Sequence, residues 1–170
     1  MTVLTREYRS QLQIRDDGDG RTLFGVAVPY GVEASIGSYV ETFARGAFAD
    51  AGLHTLMATH PLTSAVLPIG RSVELRDAPD ALHGAWHVSE TELGNDVLTL
   101  ARDGVPLALS IGFIEGRNRW NPTHTRVERL SATLDHVAVV REGAYGGAMV
   151  TAVRAADAGR PLLSLARRWA

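Results

Sequence analysis

Two residue types are missing from this chain of 170 residues: it has no cysteine, and because all 17 basic residues are arginine it has no lysine. The absence of cysteine excludes a disulfide framework, a thiolate nucleophile, a cysteine zinc site and an iron–sulfur cluster. The absence of lysine excludes Schiff-base chemistry, a Ser-Lys dyad and a P-loop. No apolar run approaches the roughly 18 residues that a membrane-crossing helix needs. The opening stretch MTVLTREYRSQLQIRDDGDGR carries charges where a secretory leader would need an apolar block. No membrane association is expected, and the chain reads as cytosolic. A net charge of −2 leaves no clustered basic excess, so nucleic acid is not an expected partner. Any catalysis must rest on Ser, Thr, Asp, Glu, His, Tyr, Arg, or a metal held by His and carboxylates.

What is present, 45% hydrophobic and 21% charged residues, suits one globular domain with a sizeable core. Short β-type runs between turn signals recur along the chain, which predicts a mainly β (α+β) fold with few helices: an antiparallel sheet closed into a β-barrel or folded into a sandwich, of which the closed antiparallel β-barrel is the form that the resemblance given below implies. Residues 6–14 and 22–30 read as a hairpin across DDGDG, and 39–43 as a short strand. RGAFADAG (45–52) reads as a helical turn ended by Gly52, and 53–59 alternate toward His60. Residues 69–76 and 82–89 read as a second hairpin. Residues 91–102 put Leu93, Val97, Leu98 and Ala101 at helical spacing, with Thr91 at the start and Gly104 past the end. Strands are expected at 107–116, 125–133, 134–140 and 148–154. The barrel domain is thus placed at 1–154, with residues 155–170 as a helical tail outside it.

Ser110 stands among apolar residues in ALSIGF, within a strand that reads as buried. A buried hydroxyl needs a partner, and for most strand serines that partner is the backbone. The stretch does not match G-x-S-x-G, which excludes a nucleophile elbow. His60 ends one expected strand, and His136 has apolar neighbours in LDHVAVV, so both rings are expected to approach the interior. Either could be structural. Together they would meet the needs of a serine nucleophile, which requires a base within about 3 Å and a third group to orient that base. His83 and His87 in HGAWH would suit a metal on a helix, but on a strand they would lie about 13 Å apart, too far to share an ion. No metal site is expected. His54 and His124, near loops, read as exposed.

These segments are similar to those of the prohead maturation proteases of tailed bacteriophages and, more distantly, to the herpesvirus assemblin serine proteases. The resemblance runs over most of residues 22–153. It is carried by FGVAVPYG, YVETFARGAF, a histidine before IGR (His60 with Ile69, Gly70 and Arg71), LTLARDGVPLALSIGF and LDHVAVV. It implies an assemblin-like barrel in which Ser110 attacks the scissile carbonyl and His60 serves as base and then acid. His136 is the orienting residue, as in the assemblin branch, where phage members usually have a glutamate; Asp135 is the alternative if the strand register shifts by one. A neutral histidine supplies no countercharge for the imidazolium, so slow turnover is expected, and acid should silence the enzyme. VREGAYGG matches the loop that supplies the oxyanion donors, which makes Arg141 and Glu142 the candidates and gives Gly143 and Gly146 to the substrate loop.

The function so implied is removal of scaffold and trimming of the major capsid protein inside the procapsid, in the host cytoplasm, with no cofactor. Major capsid protein and scaffold are the expected partners and substrates, scaffold being a separate chain. By analogy the enzyme is a homodimer, with the apolar tail (Leu162, Leu163, Leu165, Trp169) as a contact. The altered third residue and loop also fit a non-catalytic barrel retained as an assembly module.

Overall fold

The computed structural model describes residues 3–8, 13–15, 20–49, 51–60 and 66–141. They form two sheets and one helix. The strands are β1 (Leu4–Tyr8), β2 (Gln13–Arg15), β3 (Thr22–Pro29), β4 (Ala34–Ile36), β5 (Tyr39–Phe43), β6 (Thr55–Met57), β7 (Gly70–Asp77) and β8 (Ala81–Val88). The helix α1 (Glu92–Arg102) is followed by β9 (Ala108–Glu115), β10 (Asn118–Trp120), β11 (Arg126–Arg129) and β12 (Ala132–Val140). The larger sheet has eight strands in the order β1-β9-β12-β6-β7-β8-β3-β2, and the smaller has four in the order β10-β11-β5-β4.

The fold is mainly β, as expected, but the barrel does not close. The large sheet curls until β3 approaches β9, while its edges, β1 and β2, stay unpaired with one another. The small sheet covers the core where closure would have covered it: Phe43 of β5 lies 5.1 Å from Phe113 of β9, ring centre to ring centre, and 5.2 Å from Phe48. Leu23, Leu56, Leu82, Trp86, Leu98, Leu109, Ile111 and Val137 complete the core at 1% exposure or less. Each such side chain contributes about 1.5–3 kcal/mol by leaving water.

The segment expected as one strand at 6–14 is divided. Its second part, β2, makes the predicted hairpin with β3, Ile14 opposite Leu23, but its first part, β1, pairs with β9 instead. The stretch 125–133 is also divided, because the chain crosses from the small sheet (β11) to the large one (β12) around Leu130 and Ser131. Residues 45–49 form turns, with the Ala47 N–H donating to the Ala44 carbonyl at 3.1 Å and the Ala49 N–H to the Gly46 carbonyl at 3.2 Å. The hairpin of β7 and β8 and the helix stand where the pattern put them. Thr91 caps α1, its hydroxyl accepting from the Gly94 N–H at 3.0 Å. Gly94, not Leu93, lies on the buried face, because the helix runs against the Ser89 carbonyl where only a glycine fits. The strand expected at 148–154 and the tail at 155–170 lie outside the described residues. No helix among the described residues is long and apolar enough to cross a membrane.

Candidate active site

Along β9 the side chains alternate. Leu109, Ile111 and Phe113 enter the core, which leaves Ala108, Ser110 and Gly112 on the opposite face. Strand β12 runs antiparallel beside it, with Ala138 opposite Ser110 and His136 opposite Gly112. A regular strand would put His136 on the same face as Leu134, in the core. The register instead shifts between Leu134 and His136, where a β-bulge inserts Asp135 as an extra residue. Leu134 thereby faces the core with Val137 and Val139, while His136 turns to the face of Ser110. The same extra residue puts a carboxylate beside the imidazole.

His60 comes from the other side. Strand β6 lies parallel to β12, with Thr55 opposite His136 and Met57 opposite Ala138, and His60 follows three residues beyond its end. Its Nε2 is hydrogen-bonded to Ser110 Oγ, and its Nδ1 lies 2.9 Å from His136 Nε2. His136 Nδ1 in turn meets Asp135 Oδ2 at 2.8 Å. Counting protons sets the tautomers. The carboxylate can only accept, so His136 donates from Nδ1 and accepts at Nε2; His60 then donates from Nδ1 and keeps a lone pair at Nε2 for the serine proton.

The structure thus brings together Ser110, His60 and His136, residues remote in the sequence, and adds Asp135 as a fourth member in series. His136 does not stand in place of a carboxylate; it carries one behind it. The expected lack of countercharge is corrected by this arrangement, because the bulge lets both neighbours join one chain of hydrogen bonds. Ser110 is wholly buried and His136 4% exposed, whereas the Asp135 side chain remains 43% exposed. Burial, and then the neighbouring His136, push the His60 pKa down to about 4, so its ring is neutral and able to accept a proton at neutral pH.

Three further residues shape this site. Gly112 is the floor under His136: a Cβ built there would overlap the imidazole ring. Its only trace in the sequence is a small residue two places after the serine. The Arg6 main-chain carbonyl oxygen, on β1, lies 2.7 Å from Ser110 Oγ, a second acceptor within reach of the hydroxyl. The Arg6 guanidinium forks onto Glu41, with Nε 2.6 Å from Oε1 and Nη2 3.2 Å from Oε2. Glu41, wholly buried, also accepts from Arg129 Nε at 2.7 Å, and Arg129 reaches on to Glu115. Glu41 shares the inward face of β5 with Phe43, so a carboxylate at an apolar position of YVETF was the available signal.

The remaining candidates lie apart. Arg141 is exposed at the end of β12, three residues past Ala138 and so about 10 Å along the strand from the position opposite Ser110. Glu142, Gly143 and Gly146 are outside the described residues. His83 and His87 sit on β8, a strand, with His83 3.2 Å from Asp80. His124 is exposed and stacks on Trp120. His54 is not exposed as expected: it is partly buried beside Asp135, with no hydrogen-bond partner for Nε2 among the described residues, and burial lowers its pKa. A groove of about 370 Å³ on the small sheet, lined in part by Val40, Arg119, Trp120 and Arg126, shares no residue with this chain of hydrogen bonds. No family model matches the chain, and no curated protein or solved structure matches it.

Proposed function

We propose that this chain is a serine endopeptidase with Ser110 as nucleophile and His60 as general base, His136 and Asp135 completing the catalytic set. One observation carries the reading: a buried serine, two imidazoles and a carboxylate from β9, β12 and the loop after β6 meet in one unbroken series of hydrogen bonds. A core serine that merely needed a partner would have no use for two histidines in line behind it.

In the proposed reaction Ser110 Oγ attacks the scissile carbonyl carbon as its proton passes to His60 Nε2. The imidazolium formed there is held through Nδ1–H by His136, and the Asp135 charge reaches it by way of that second ring. Collapse of the tetrahedral intermediate breaks the C–N bond, and His60 Nε2–H protonates the departing amine. Water then attacks the acyl-enzyme with His60 again as base, which releases the acid and restores Ser110. The oxyanion donors fall to the stretch beginning at Arg141, by resemblance.

The resemblance of FGVAVPYG, YVETFARGAF, LSIGF and LDHVAVV to phage prohead proteases supports a reading in which the substrates are capsid and scaffold proteins, cut within a procapsid in the host cytoplasm by a homodimer without cofactor. Two experiments test these levels separately. A fluorophosphonate probe at pH 8 should label the wild-type chain on Ser110 and leave Ser110→Ala unlabelled. Co-expression with the capsid and scaffold proteins of the same phage should give defined fragments that Ser110→Ala abolishes. Absence of labelling would favour an inert assembly module of the same ancestry.

A further inference from the structure

The chain of hydrogen bonds ends in a conflict. Ser110 has one hydroxyl proton and two acceptors within reach, His60 Nε2 and the Arg6 carbonyl oxygen at 2.7 Å. When His60 is neutral, its Nε2 lone pair takes the proton, and the Ser110 and Arg6 oxygens then face one another with no proton between them. When His60 is protonated, Nε2–H donates to Ser110 Oγ, the hydroxyl donates to Arg6, and every bond from Arg6 to Asp135 is satisfied. The arrangement is complete only in the form whose base is already occupied.

We propose that the main-chain carbonyl of Arg6 is a competing acceptor for the Ser110 proton, so that β1 is a positioning strand that favours the form of the site in which His60 is protonated. The inference rests on Ser110 as nucleophile but concerns its regulation. β1 is a strand of five residues and, among the described residues, lies at the edge of the sheet, paired with β9 alone. Pairing with β9 sets Glu7 opposite Ser110, and the Arg6 side chain ties the same edge to the small sheet through the fork onto Glu41 and a bond from Nη2 to the Tyr39 hydroxyl at 2.9 Å. The strand is thus held both to β9 and to the small sheet. His60 is faced by Ser110 from β9 and by His136 from β12, with Asp135 behind; the Arg6 guanidinium points away, to Glu41 and Tyr39.

Replacing Glu7 with its α-hydroxy analogue in the full chain turns the Arg6 carbonyl from amide to ester, a weaker acceptor, and leaves the side chains in place. Arg6→Met is the second variant; it loosens β1 but keeps the Glu41–Arg129 pair. The His60 ring is titrated by NMR, and fluorophosphonate labelling is followed against pH. Since the Arg6 contact favours the protonated ring, weakening it should lower the His60 pKa by about half a unit. Labelling on the acid limb should then become roughly threefold faster. A merely structural role would change the rate at all pH values without moving the limb. An unmoved or raised His60 pKa in the ester variant overturns the proposal, whatever Arg6→Met does. If the ester shifts the titration and the wild type is never labelled, the protease reading fails and the competition for the proton stands.

Discussion

The rings of His60 and His136 meet edge on, Nδ1 to Nε2 at 2.9 Å, with their planes crossing at 69°. Two neutral imidazoles can share one proton in this way only if their tautomers are complementary, and Asp135 decides which one donates. The second histidine therefore does what a carboxylate would do for orientation, while the charge sits one ring further out.

That placement predicts the pH behaviour. His60 is held near pKa 4, against about 6.5 in an unfolded chain. The base should remain available well below pH 6, and fluorophosphonate labelling should fall to half its plateau between about pH 4 and 5. A midpoint at 6.5 or above would show that the ring is not in this environment.

The same shift acts on stability. Between pH 6.5 and 4 the unfolded chain binds a proton at His60 that the folded one does not, so folding stability rises with pH across that window and falls as pH drops through it. Thermal melts of the wild type should lose midpoint from pH 6.5 to 4, and His60→Asn should lose less. Equal losses would assign the acid sensitivity to other groups.

Gly112 tests the floor of the site. In Gly112→Ala the added methyl must displace the His136 ring, at a cost of about 1–3 kcal/mol for overpacking. The sheet should still form, but the labelling rate should drop by about a hundredfold, since displacement of catalytic groups by about 1 Å has effects of that order. Circular dichroism and labelling together check it; near wild-type labelling would mean that His136 is not needed where it sits.

Asp135→Asn keeps the shape of the side chain and removes its charge. Because the carboxylate acts through His136 and is partly exposed, its loss should slow labelling by about ten- to a hundredfold, with little change in melting temperature. An unchanged rate would reduce the catalytic set to Ser110, His60 and His136.

Glu41→Ala leaves Arg6 and Arg129 facing each other in the core. Removing one partner from a buried ionic cluster costs about 3–5 kcal/mol. Urea unfolding should show a midpoint lowered to match, with the slope unchanged; a loss below about 1 kcal/mol would mean that the two arginines find water when the carboxylate is gone.

Much of the architecture was legible one residue at a time. The spacing of Val97, Leu98 and Ala101 after Thr91 identified α1, and the two β-type runs at 69–76 and 82–89 identified the hairpin of β7 and β8, because helix periodicity and turn chemistry are local properties of the chain. The departures came where pairing was non-local. Nothing in LTREY says that it will leave its hairpin to join β9, and nothing in VERLSAT says that the chain will change sheets there.

The site divides in the same way. Composition alone confined any catalysis to hydroxyl, imidazole, carboxylate and guanidinium chemistry or to a metal, since no thiol or amine side chain exists in the chain. Apolar flanks marked Ser110 and His136 as buried residues. Whether the third position belonged to His136 or Asp135 was open in the sequence, because strand alternation allows only one of two neighbours to face a given side. Only the tertiary structure settled their placement: an extra residue in β12, accommodated against β9, breaks the alternation and lets both neighbours enter one series. A bulge is a property of two strands held together, and one strand's sequence does not contain it.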